Sequence, residues 1–354
     1  MTFYYGLRSK NVTAEERVRT VEGLERLRAQ IATSIPKRTV SDTLLVATWN
    51  IRDLGNENKR SGADAGPGER FLESYYYIAE VISAFDLVAL QEVNTLESLQ
   101  KIMRYLGPSW DYLTTDTKRG AGGNQERMTF VFDKRKVLFK HVTGQIVVDT
   151  DQQFARTPFY AAFQAGWFKF TLCTVHILYG DWKDTTKRVK EIDRIAGFLT
   201  DRSKSTGENI LLLGDFNILN RNDATFKPLE KHGWFMPLDF DTNVMHTKAY
   251  DQIAFYVDED DLPEVKGGVL DYFQSVFRDN ECETYFDEAK ALGRPMEPWD
   301  NTEGWPDKTK ILKREEYYRQ WRTWQISDHM PLWAEVNIDF TDSYLKKTKA
   351  WKSK

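Results

Sequence analysis

The sequence predicts an α+β or layered α/β domain. Three observations carry that expectation. Short apolar runs rich in β-branched and aromatic residues recur along the chain, helical periodicity separates some of them, and no internal repeat or low-complexity linker divides the 354 residues. Hydrophobic residues make up 41% and charged residues 29%, enough apolar material for a sizeable core.

The first periodic segment spans residues 13 to 32. Thr13 with Glu16 three positions later fits a capping box, and Val18, Val21, Leu24, Leu27 and Ile31 recur on one face before Ser34-Ile35-Pro36 ends the helix. Leu44 to Trp49 reads as a buried strand. The polar, glycine-rich stretch Gly55 to Gly68 reads as a long loop, of the kind that is usually functional. Phe71, Tyr75, Ile78, Ala79 and Ile82 predict a helix over 70–84. A strand follows at Asp86 to Val93, then a helix at Leu96 to Leu106. Strand-like runs crowd the next segment: MTFVF, VLFKHVTGQIVV, FYAAF and WFKFTLCTVHI. A helix is expected over Thr185 to Thr200, with strands at Asn209 to Leu213, Asp251 to Val257 and Met330 to Ile338. Residues 258–325 read as one long insertion ending in the aromatic run EEYYRQWRTWQ, for which core packing outweighs base stacking. The expected organisation is a helical extension over 1–40, one domain over 41–340, and a basic tail over 341–354.

Charge and cysteine usage narrow the function. The net charge is -4, which disfavours a long electrostatic footprint on nucleic acid. Any positive surface must be local. Of the two cysteines, Cys173 lies in an apolar run and reads as a small core residue. Neither a secretion signal nor a membrane-length apolar run is evident, so the expectation is a cytoplasmic protein without a membrane span or an evident protein partner.

The chemistry lies at the ends of the apolar strands, where side chains reach a sheet rim. Asn50 follows Trp49, and Glu92 follows Gln91. His176 ends a third strand, and Asp215 with Asn217 ends a fourth in GDFN. Asp251 opens a fifth in YDQI, and Asp328 with His329 opens the last in SDHMP. Hard oxygen donors in such number suit Mg²⁺ or Mn²⁺. Two histidines can contact a phosphoryl oxygen, and phosphoryl transfer needs charge neutralisation with an oriented water. Taken singly, Asn50 suits a turn cap, His176 a core histidine, and Ser327-Asp328 a turn; their combination favours a site.

This ordered set of WN, QE, H, GDFN, YDQI and SDHMP resembles the endonuclease/exonuclease/phosphatase superfamily, over most of the chain from about Leu44 to Val336. The resemblance implies a four-layered α/β sandwich of two packed mixed sheets. It implies Glu92 as the principal metal carboxylate with Asn50 and Asp328 nearby. Asp215 and Asn217 would orient or activate water and bind phosphate. His329 would form a dyad with Asp251 and contact the scissile phosphate, and His176 would be a second phosphate contact and candidate general acid. Arg156, in FARTP, and Arg127, opening MTFVF, are candidate phosphate contacts, weighed evenly against ordinary surface charge.

The closest likeness is to the deoxyribonuclease branch, which implies a metal-dependent endonuclease acting on DNA. A phosphatase or phosphodiesterase for a small or lipid-linked ester is the alternative, and a non-catalytic binding module ranks last because the key polar residues are all present. The chain departs from the family in its N-terminal helix, its glycine-rich loop, and roughly seventy residues between YDQI and SDH. Rim loops set specificity on such a scaffold, so these departures bear on substrate choice.

Overall fold

A computed structural model describes residues 2–55, 69–116, 119–120, 123–124, 126–147, 154, 156–181, 183–257, 265–292, 304 and 306–350. The glycine-rich loop beyond Gly55, the acidic start of the expected insertion, and the last four residues lie outside them.

In chain order the elements begin with α1 (Ala14–Ser34), β1 (Thr43–Leu54), α2 (Leu72–Ser83), β2 (Leu87–Val93), α3 (Leu96–Leu106) and β3 (Trp110–Thr114). A two-residue ladder, β4 (Arg119–Gly120) with β5 (Gly123–Asn124), precedes β6 (Arg127–Asp133), β7 (Leu138–Gln145), β8 (Phe159–Ala165) and β9 (Phe168–His176). The chain continues through α4 (Thr186–Thr206), β10 (Asn209–Asp215), α5 (Lys227–Lys231), β11 (Asp251–Tyr256) and β12 (Val265–Val269). It ends with α6 (Cys282–Leu292), α7 (Asp307–Gln325), β13 (Leu332–Asn337) and α8 (Thr341–Ala350).

The strands form two mixed sheets. One has the order β12-β13-β1-β2-β6-β3 and the other β11-β10-β9-β8-β7. Side chains alternate across a strand, so consecutive apolar residues must serve both faces. Leu44 and Val46 of β1 join Phe130, Phe163, Leu172 and Leu213 in the core between the sheets. Leu45, Ala47 and Trp49 point outward against α1, α2, α3 and α7. On the second sheet's outer face, Cys173, Val175 and Leu212 pack against Ile192, Ile195 and Leu199 of α4. The result is four layers of helix, sheet, sheet and helix.

The Thr13–Glu16 capping box forms as expected. The buried face of α1 differs from the expected stripe. Thr20, Gly23, Leu24 and Leu27 are buried, whereas Val18 and Val21 are exposed. Gly23 explains the rotation: a Cβ there would collide with the Tyr77 ring, so the helix rests on α2 through its least bulky residue.

The segment expected as one insertion supplies β12, which pairs antiparallel with β13 and edges the first sheet. Its helix α7 buries Tyr317, Tyr318 and Trp321, in keeping with core packing of the aromatic run. Both cysteines are buried and unpaired. Among the described residues no helix is long and apolar enough to cross a membrane.

Candidate active site

Strand direction collects the polar motifs on one rim. β1 runs parallel to β2, and β9 parallel to β10, so Asn50, Glu92, His176 and Asp215 all lie near carboxyl ends. β6, β11 and β13 run antiparallel to their neighbours, so residues at their starts reach the same rim. The ladder register sets Asp215 beside His176 on one side and Asp251 on the other. Gly214 of GDFN is required there, because a Cβ would strike the Val175 carbonyl of β9.

Asp215 Oδ2 is the point of convergence. Asn50 Nδ2 donates to it at 3.1 Å, His176 Nε2 lies 3.6 Å away, and His329 Nε2 lies 3.8 Å away. Its other oxygen accepts the backbone N–H of Asn217 at 2.8 Å, and Asn217 Nδ2 donates to the Ile177 carbonyl at 2.7 Å. Glu92 joins through Oε1, which accepts from Asn50 Nδ2 at 2.9 Å and lies 3.8 Å from His176 Nε2. Its Oε2 accepts from the Asp53 backbone at 2.8 Å. Arg52, Asp53, Glu92 and Asn217 all hold positive φ, between 46° and 61°. Non-glycine residues reach that region only at an energetic cost, and such strain clusters at working sites.

Each histidine is backed by a carboxylate. His329 Nδ1 lies 2.8 Å from Asp251 Oδ2, and His176 Nδ1 lies 2.9 Å from Glu126 Oε2. An ionised carboxylate only accepts, so each Nδ1 carries a proton and each Nε2 faces the site. The two rings differ in charge. Burial and the nearby Arg156 guanidinium pull the His176 pKa down to about 4, leaving the ring neutral at pH 7. Burial opposes charge on His329 as well, but the carboxylates of Asp251 and Asp215 outweigh it and hold its pKa well above the usual imidazole value.

The remaining expected residues have partners of their own. The Asp328 side chain is 40% exposed and lies 3.5 Å from Arg52 Nη1. Arg156 is ion-paired to Glu126. Arg127 Nη1 donates to the Asn94 carbonyl at 2.6 Å.

Sequence reasoning passed over four contributors. Glu126 belongs to no motif; its only signal is a carboxylate ahead of a strand antiparallel to the one that carries Glu92. Arg70 donates to the carbonyls of Ile51 and Arg52, and to Ile326 at 3.3 Å, tying the strained end of β1 to the segment before Ser327. Arg52 stacks 3.9 Å from the Trp324 ring centroid of α7. Arg188 is buried on the apolar face of α4, one turn before Ile192, and that placement of an arginine among aliphatics was the legible signal.

The donor set fits a hard divalent cation. Glu92, Glu126 and His176 each bring a ligand atom within 4.8 Å of the others, as do Asp215, Asp251 and His329. The carboxylates of Glu92, Glu126, Asp215 and Asp251 converge on one rim, and a dication among them would offset the repulsion that a phosphate anion meets there.

No family profile matches the chain, and no curated protein does. Solved structures give several likenesses. An endonuclease/exonuclease/phosphatase family protein from Bacteroides thetaiotaomicron is 16% identical, over 84% of this chain and 98% of its own, with a TM-score of 0.49. A mannosyl-6-phosphatase from the same organism is 15% identical, over 82% and 98%, with a TM-score of 0.48. TDP2 from Danio rerio, in complex with a single-strand DNA product, is 14% identical, over 83% and 98%, with a TM-score of 0.47. The two-sheet sandwich with the ordered motifs on one rim is the arrangement that the resemblance to the endonuclease/exonuclease/phosphatase superfamily implies.

Proposed function

We propose that this protein is a divalent-metal-dependent phosphoric ester hydrolase, a phosphodiesterase of nuclease type with DNA as the favoured substrate. The observation that carries the reading is the convergence of Asn50, His176 and His329 on Asp215 Oδ2, at 3.1, 3.6 and 3.8 Å. Two histidine–carboxylate pairs aimed at one buried aspartate suit a reaction that moves a proton off water and stabilises an oxyanion.

In this reading Asp215 accepts a proton from the attacking water, with Asn217 fixing the carboxylate through its backbone N–H. His329 presents a proton at Nε2 to the phosphoryl or leaving oxygen, and Asp251 holds its ring. His176, neutral and oriented by Glu126, contacts a phosphoryl oxygen or the water from the other side; in the ground state His329 holds the transferable proton. Glu92, with Asn50 and Asp328 near it, would hold Mg²⁺ or Mn²⁺, which supplies Lewis-acid neutralisation of the phosphate. Arg156 and Arg127 would contribute the contacts to a second phosphate oxygen.

The test is hydrolysis of supercoiled plasmid, single-stranded DNA, RNA, bis-p-nitrophenyl phosphate and sugar phosphates, each with Mg²⁺, Mn²⁺ or EDTA and beside His329→Ala. Metal-dependent nicking of DNA that the substitution abolishes is expected. Turnover of small esters with no cleavage of nucleic acid would move the protein to the phosphatase reading, and failure on every substrate would refute both.

A further inference from the structure

The loop that follows His176 carries a feature with no part in the chemistry above. Tyr179 is 42% exposed, yet its ring is held on several sides. It meets Tyr250 edge to face, with centroids 6.2 Å apart and planes at 83°. Tyr250 in turn packs on the His329 ring at 5.5 Å. The Arg188 guanidinium lies 5.0 Å from the Tyr179 centroid and donates to the Tyr179 carbonyl. The same guanidinium donates to Leu178 O at 3.3 Å and Asn217 O at 2.7 Å, so one buried cation ties this loop to GDFN. Gly180, with φ of 60°, turns the chain away immediately afterwards. An ordered aromatic ring facing solvent two contacts from a reacting centre does little for folding, but it makes a flat surface for a ligand.

We infer that Tyr179, braced by Tyr250 and Arg188, is a stacking platform for the nucleobase adjoining the phosphate held at His329. The inference rests on the phosphoester hydrolase reading and adds a substrate class to it. A neutral planar group fits better than a second phosphate. Arg188 is spent on three carbonyls, and the loop and helix start beyond mix the exposed carboxylates of Asp181 and Asp184 with Lys183 and Lys187, so what the site presents to a ligand is the Tyr179 ring face rather than a set charge. Stacking a base on an aromatic side chain contributes about 1–3 kcal/mol and tolerates any base, which suits a nuclease with little sequence preference.

Three non-hydrolysable ligands test it by calorimetric titration in Mg²⁺: methylphosphonate, the 5-methylenephosphonate of ribose, and the 5′-methylenephosphonate of adenosine. The adenosine compound is expected to bind wild-type protein roughly 5- to 150-fold more tightly than methylphosphonate. Tyr179→Ala should erase that gain while leaving methylphosphonate unchanged, and Tyr179→Phe should keep it. Equal binding of the ribose and adenosine compounds would overturn the nucleobase assignment in favour of a sugar. A gain that survives Tyr179→Ala, or no gain at all, would overturn the platform. Hydrolysis of methyl p-nitrophenyl phosphate by wild-type protein is read in parallel. Its failure would count against the hydrolase reading alone, because the binding series judges Tyr179 without turnover.

Discussion

Asp215, His176 and His329 are separated by tens of residues in the chain, yet their reactive atoms lie within a few ångströms. What the sequence made legible at this scale was residue type at strand ends, and that was enough to nominate all three. It did not make legible the partner of each histidine equally. Asp251 opens a recognisable motif, whereas Glu126 has no motif and became visible only once β6 lay beside β2. The dyad histidine and the carboxylate without a motif predict different defects. His329→Ala should lower turnover of bis-p-nitrophenyl phosphate by roughly 10²- to 10⁴-fold, the usual worth of a positioned acid or base, with an unchanged circular dichroism spectrum. Glu126→Ala should release the His176 ring and show up in folding as well. It strips a buried carboxylate from Arg156, whose side chain is only 12% exposed, and removing one partner of a buried pair costs about 3–5 kcal/mol. Urea unfolding of the two variants side by side would separate the roles, and a Glu126→Ala protein as stable as wild type would contradict this account.

At the level of elements, periodicity recovered α3 at both boundaries and β2 to within a residue, because both are bounded by strong capping and turn signals. It placed Leu24, Leu27 and Ile31 of α1 on the core but also Val18 and Val21, which are exposed, since periodicity counts apolar residues and is blind to close approach. Gly23→Ala tests that point. Alanine should strengthen an isolated helix by about 1 kcal/mol, but here its Cβ meets the Tyr77 ring, and overpacking of that kind costs roughly 1–3 kcal/mol. Net destabilisation in thermal unfolding is expected, with stabilisation contradicting the contact. The contribution of 265–325 was also hidden. β12 is short and glycine-bearing, and its pairing with β13 is a non-local fact that local pattern cannot carry. Helix α7 was read correctly as core-forming. Trp321→Ala should cost about 3–5 kcal/mol by leaving a cavity beside Phe71, Phe277 and Tyr285, as chemical denaturation would report.

Over the whole molecule, the pole opposite the site is held by charge. Asp86 and Asp133 are buried and bound by Arg38 and Lys136, with Arg135 on Asp133. Burial works against the Asp133 carboxylate, but the guanidinium groups of Arg135 and Arg38 outweigh it and depress its pKa below the usual carboxylate range. A depressed folded-state pKa contributes stability that is present above the unfolded value near 4 and lost as pH falls towards the folded one. Melting temperature should therefore drop below about pH 4, and Asp133→Asn should flatten that acid limb. Salt reads the other pole: binding of a DNA duplex should weaken steeply with ionic strength, and binding of a small phosphate ester much less. The sheet order has a further consequence. β1 lies between β2 and β13, so the strand carrying Asn50 is flanked on one side by the strand that follows His329. A chain emerging from the ribosome holds Asn50, Glu92 and His176 long before it holds His329 or the neighbour that completes its first sheet. Nascent or prematurely terminated chains that stop short of β13 therefore lack the assembled centre.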